Sequence, residues 1–235
     1  MWTRIDPLTS LLLVFPLFLV YEVGVLLVPT AYNGADLITS QILHLLHGNM
    51  RGYVALNAGL WAFFLGLVLY MRKKHDFDPR MIWPMLAESG VYALTMGTLI
   101  CFLMVDVLHV DPRLAIPLLH TGEAQPGLLA AIIISLGAGV HEELVFRVLM
   151  VGGLLVFLEQ VVKTRPWVAI LLSFAISSVL FSAAHHVIGG EPFRIGVFVY
   201  RVLCGLIFAT IYQTRGVAVA VYTHALYDIY VFVLK

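Results

Sequence analysis

Four side chains in the C-terminal half of the sequence have the types for hydrolytic chemistry: Glu142, His185, His224 and Asp228. Glu142 stands in HEELVFR (residues 141–147), His185 in FSAAHH (181–186), and His224 and Asp228 in HALYD (224–228), each inside an otherwise apolar run. A carboxylate and histidines drawn from separate segments can activate water. One group takes the proton, a partner orients the water, and the others stabilise an oxyanion. The same four can instead hold a divalent metal such as zinc, leaving one coordination position open. They can also pass protons in a transporter.

Spacing divides the labour further. Glu143 and Arg147 are four apart, share a helix face and can pair. Glu142 points about 100° away from Glu143 around the same helix. One of the two adjacent carboxylates is thereby matched to Arg147, and the other is left for chemistry. The bland alternative is a buried ion-pair network of all three. The zinc motif HExxH starts at His141 and Glu142 but fails, because position 145 is Val. Phe181 and His185 share a face, as do His224 and Asp228.

The elements that must position these groups are membrane spans. Of the 235 residues 61% are hydrophobic and 12% charged, with a mean hydropathy of +0.95. Soluble domains carry about a quarter charged residues, so the chain reads as a polytopic all-α transmembrane bundle of about seven to eight spans. Seven segments approach the roughly 20 apolar residues that cross a bilayer: 8–29, 52–71, 87–108, 127–160, 166–188, 195–213 and 217–234. The fourth is too long for one straight crossing and should tilt, kink near Gly137 and Gly139, or split into two helices. LITSQILHLLHG (37–48) has helical apolar spacing and reads as a short interfacial helix. The whole chain, 1–235, reads as one integral-membrane domain. Its N-terminal apolar run is longer than a cleaved signal's, and is taken as a retained first span.

Charge gives an orientation. RKKHDFDPR (72–80) should face the cytoplasm, and counting loops alternately from it places eight basic residues inside against four outside. The N-terminus is then cytoplasmic. Zero formal net charge and the lack of a long basic run give no sign of a nucleic-acid partner. Cys101 and Cys204 are too few for a disulfide framework and lack metal-ligand spacing.

Taken in order, Glu142-Glu143-x-x-x-Arg147, Phe181-x-x-x-His185 and His224-x-x-x-Asp228, with the approach IYQTRGVAVAVYTHALYD, resemble the CPBP intramembrane proteases, also called the Abi or CAAX-protease family. The resemblance covers about residues 127–232. It implies an intramembrane endopeptidase that cleaves a membrane-associated protein or peptide, near the substrate's C-terminus, in a prokaryotic plasma membrane. It implies Glu142 as the base that activates water with His185, and His224 and position 228 as oxyanion stabilisers. Glu143 and Arg147 would hold the motif helix, and Phe181 would pack beneath the site. The chain departs from the family at two positions. Val148 follows the motif arginine where Gly is common, and position 228 is Asp rather than Asn. An ionised Asp cannot donate to an oxyanion. It must be protonated, orient His224, or join Glu142, His185 and His224 in binding a metal.

His141 and His186 lie beside the motifs and are expected at most to support them. Glu22, Glu88 and Arg201 are further charges inside spans, expected to pair structurally or to line a substrate path. The rival readings are a transporter or proton relay, against which stands the lack of an inverted repeat, and a non-catalytic immunity protein on the same fold. Rhomboid, aspartyl and site-two protease motifs are missing.

Overall fold

The computed structural model describes residues 4–28, 42, 44–73, 76–111, 127–188 and 191–234, and everything described is helix or connection. The long apolar runs become helices because only a helix satisfies every backbone N–H and C=O of a single segment in hydrocarbon. In chain order they are α1 (Pro7–Leu27), α2 (Met50–Met71), α3 (Ile82–Phe102), α4 (Leu128–Val161), α5 (Pro166–Val187), α6 (Ile195–Arg215) and α7 (Val217–Leu234). The first six are long and apolar enough to cross a membrane, counting α3 with its flanking turns, and α7 is a shorter apolar helix. The protein is thus an integral multi-pass helical bundle. The interfacial helix expected at 37–48 falls largely outside the described residues.

Local signals set several ends. Asp6 caps α1 by accepting from the N–H groups of Leu8 and Thr9, with Pro7 in the first turn. Asn49 caps α2 in the same way through the N–H groups of Arg51 and Gly52. Gly216 separates α6 from α7 at φ +99°, a left-handed conformation that suits glycine.

The overlong fourth segment is neither split nor broken at Gly137 and Gly139. It is one continuous helix of 34 residues, α-helical through Glu143, then wound more widely as π-helix over Leu144–Val151 and again over Phe157–Val161. At 1.5 Å per residue it is roughly 50 Å long, well beyond the hydrocarbon core. The first π stretch begins directly after Glu142 and Glu143, and such windings recur at functional sites.

Helix α4 packs on α7 and α1, α5 packs on α6, and α3 packs on α7. Small residues allow the close approaches, as is usual between helices in lipid. A methyl group on Gly139 would lie 2.9 Å from the Ala225 nitrogen and the Val221 oxygen, both backbone atoms of α7. A methyl group on Gly205 would come as close to the Ser178 Cα. Gly139→Ala is therefore expected to push α4 away from α7, with an overpacking cost of about 1–3 kcal/mol. Thermal unfolding of the purified protein in detergent measures it. An unchanged melting temperature would show that the contact is not needed.

Two buried polar clusters outside the motifs, one of them an ion pair, tie the bundle together. Arg215, at the end of α6, donates from Nε and Nη2 to both oxygens of Glu88 on α3, at 2.6 and 2.8 Å. Tyr92 donates to the same carboxylate at 2.8 Å. On the other side, Tyr53 of α2 donates to Glu22 of α1 at 2.6 Å, and the His141 ring of α4 lies 3.9 Å from that carboxylate.

Candidate active site

The close approach of α4 to α7 at Gly139 lets the carboxylates one turn further along α4 meet His224. Both carboxylates and Arg147 are essentially buried, Glu143 and Arg147 completely so. Arg147 lies four residues after Glu143, with Nε 3.1 Å from Oε2. Its guanidinium stands over the Phe181 ring at 4.9 Å and the Phe208 ring at 5.6 Å, so aromatic faces take the place of further carboxylates around it. The Ser177 hydroxyl of α5 donates to the Phe146 carbonyl within the π stretch at 2.6 Å, joining α5 to this part of α4.

Glu143 has a second partner that sequence spacing did not reveal. Its Oε1 lies 2.9 Å from His224 Nδ1. A carboxylate only accepts, so Nδ1 carries the hydrogen and Glu143 fixes the ring. Phe208 of α6 stacks on the other side of that ring, with centroids 4.5 Å apart and planes 16° apart. Sequence reading gave no reason to single out Phe208. It is one of 14 phenylalanines, and only the packing of α6 on α7 selects it.

Glu142 sits between the two motif histidines. Oε1 is 3.7 Å from His185 Nε2, and Oε2 is 3.8 Å from His224 Nε2. Both separations exceed a hydrogen bond, and the reason can be read from the other ring nitrogens. His185 Nδ1 lies 2.9 Å from the Phe181 carbonyl oxygen and must donate to it. In the neutral ring, Nε2 then presents a lone pair towards Glu142. Two acceptors face each other across a gap that a water can close by donating one hydrogen to each.

Asp228 lies near His224 on the side away from Glu143, with Oδ2 3.6 Å from Nε2. The carboxylate that orients His224 through a hydrogen bond is thus Glu143 and not Asp228. His224 Nε2 is flanked by Glu142 and Asp228, two groups that only accept when ionised. A hydrogen on Nε2 or on one of these carboxyls is what such a cluster needs to hold together. Phe181 meets the rings of His185, His224 and Phe146 in T-shaped contacts and so packs against both histidines.

The structure therefore brings Glu142, His185, His224, Asp228, Glu143, Arg147 and Phe181 into one cluster drawn from α4, α5 and α7. It keeps His141 and His186, the two histidines beside the motifs, out. His141 donates towards the Gly137 carbonyl and faces Glu22, with the rings of Phe18 and Tyr21 around it. His186 donates to the Glu191 carbonyl at 3.2 Å and packs against Phe193 and Phe198. Arg201 pairs in a bidentate manner with Glu191, on the connection between α5 and α6. Partial burial works to raise the Glu191 carboxyl, but the Arg201 guanidinium outweighs it and holds the group below its ordinary value. Among the described residues, no three His, Cys, Asp or Glu side chains converge as metal ligands would.

The cluster can do one thing well: hold a water between a carboxylate and an imidazole lone pair, with a second, carboxylate-oriented imidazole beside it. A family model described as type II CAAX prenyl endopeptidase Rce1-like matches residues 124–230, the stretch that carries every member of this cluster. No match was found among curated proteins or among solved structures.

Proposed function

We propose that this chain, whose residues 124–230 match the type II CAAX prenyl endopeptidase Rce1-like family model, hydrolyses a peptide bond near the C-terminus of a membrane-associated protein or peptide, using Glu142 as its base. The observation that carries the reading is that Glu142 Oε1 faces His185 Nε2 at 3.7 Å, a separation that a water can bridge. A water donating to both keeps its own lone pairs free. As the oxygen attacks the scissile carbonyl carbon, Glu142 takes one proton and His185 holds the remaining hydrogen in place. The carbonyl oxygen gains negative charge, which His224 Nε2–H stabilises when the ring carries both protons. Glu143 keeps that ring in position through Nδ1. Asp228 contributes to the oxyanion only in its protonated form, and its charged form serves instead as a counter-ion to the His224 imidazolium. Collapse of the tetrahedral intermediate returns the Glu142 proton to the leaving amine.

Buried surroundings favour this chemistry because fixed donors act more strongly in low dielectric than in water. The basic excess in alternate loops supports a cytoplasmic N-terminus, which reporters fused to either end test.

The testing experiment compares the termini of membrane proteins in cells that carry wild type, Glu142→Ala or Glu142→Gln, with the membrane level of each variant checked. Termini that change with wild type alone support the reading. Termini that never depend on the protein, or processing that persists in both variants, would sink it. A companion measurement concerns the metal. Since the cluster is explained by a water and two imidazoles, activity is expected to survive 1,10-phenanthroline and EDTA unchanged. Inhibition reversed by added zinc would move Glu142, His185, His224 and Asp228 to the role of ligands.

A further inference from the structure

Among the described residues, two arginines form bidentate pairs with glutamates, and they differ in one respect. Arg215 and Glu88 are both buried, which makes theirs a closed structural pair. Arg201 is also largely enclosed, with a side chain 12% exposed, but its partner Glu191 is 39% exposed. The guanidinium is therefore held in the protein, while the carboxylate on it can leave towards solvent. An ion pair with so exposed a partner adds little to stability, so stability alone does not account for a cation enclosed in a span.

Its position gives it a use. Arg201, Cys204, Gly205 and Phe208 are spaced i, i+3, i+4 and i+7 and share one face of α6. Cys204 and Phe208 are buried, and Phe208 lies flat on the His224 ring. Arg201 is thus on the active-site face, about 10 Å along the helix from the residue that backs His224. From the other side, Glu191 is anchored next to His185: its N–H donates to the His185 carbonyl and its own carbonyl accepts from His186. The charge of Arg201 reaches both His185 and Asp228. A fork shaped for a carboxylate therefore stands a few residues of extended chain away from the reacting atoms.

We propose that Arg201 binds the free C-terminal carboxylate of the substrate, and that Glu191 is the internal carboxylate which occupies this fork until substrate displaces it. The inference rests on the endopeptidase reading above and gives that site its specificity: it takes chains that end shortly after the scissile bond. In the exchange, Glu191 turns to solvent and the substrate's terminal oxygens take its two N–H donors. One charge-assisted pair replaces another, so the guanidinium is never left unpaired.

The test uses the full chain in detergent, carrying Glu142→Gln so that ligand is not consumed. The probes are a fluorescent S-farnesylated CaaX peptide as the free acid and the same peptide as the C-terminal amide. The acid is expected to bind tenfold or more tightly than the amide. Adding Arg201→Ala should bring the two affinities together, and Arg201→Lys should restore part of the difference, since it keeps the charge but not the fork. Glu191→Ala should tighten binding of the acid several-fold and leave the amide unchanged. Equal binding of acid and amide, including none, overturns the proposal, as does a preference that survives Arg201→Ala. If Arg201→Ala does not accumulate, Glu191→Ala decides, and an unchanged affinity for the acid overturns it. Hydrolysis by wild type without preference for the acid would remove this inference and leave the endopeptidase reading intact. Preference without hydrolysis would do the reverse.

Discussion

Glu142→Gln protein is expected to hydrolyse substrate at least a thousandfold more slowly than wild type while accumulating and melting like it. The substitution keeps the volume of a side chain that is almost completely buried and makes no hydrogen bond within range to either histidine. It removes the acceptor that takes the proton from water. General-base catalysis contributes on the order of 10²–10⁴ in rate, and here the same group also fixes the water's position, so the loss falls towards the upper end. His185→Gln is expected to cost less, about a hundredfold, because it orients the water without taking its proton. Single-turnover rates on purified variants separate the two. A Glu142→Gln protein within tenfold of wild type would refute the assignment of the base. If His185→Gln proved the more damaging, the roles of the two residues would be reversed.

The second large effect is on folding rather than chemistry. Arg147→Met is expected to destabilise the protein by about 3–5 kcal/mol, because it leaves Glu143 charged and without its cation at a fully buried position. Met keeps an apolar stem but ends short of where the guanidinium lies over Phe181 and Phe208, so the loss combines the missing charge with a small cavity. The consequence spreads to the site, since Glu143 also holds His224 Nδ1. The double variant Glu143→Gln with Arg147→Met removes both charges and should recover much of the stability. Activity should not return with it, since an amide oxygen holds the His224 imidazolium more weakly than a carboxylate. Thermal or denaturant unfolding in detergent for the two single variants and the double gives the coupling directly. Additive losses would mean that Arg147 and Glu143 are not a pair in the folded protein.

Much of this molecule was legible in one dimension. Composition alone made it a membrane protein, because so few charges cannot clothe a soluble surface of this size. The apolar runs located the helices to within a few residues, except at α3, since in lipid each span must satisfy its own backbone. Spacing paired Glu143 with Arg147, because residues four apart on a helix lie on one face and can meet. The presence of ionisable groups inside spans pointed to Glu142, His185, His224 and Asp228 for the same local reason: lipid leaves them unexplained. The motif order across three spans then carried the resemblance to the CAAX proteases, and a family model matches that stretch.

What local rules do not reach is which faces meet. α4 remains one helix through Gly137 and Gly139, where the glycines admit α1 and α7 at close range, and it widens only after Glu143. That Glu143 orients His224 in addition to pairing with Arg147, and that Asp228 lies beyond hydrogen-bond range of His224 although four residues apart on one helix, depend on the α4–α7 contact at Gly139. Spacing showed that His224 and Asp228 can meet; the direction of the ring, set by Glu143 and the Phe208 stack, decided that they do not bond. Phe208 and Glu191 carried no signal in the sequence because their roles consist entirely of what another helix presents to them. Side-chain identity and period are local properties of a chain, whereas the partner of a buried polar group is chosen by packing, and packing exists only once the helices have come together.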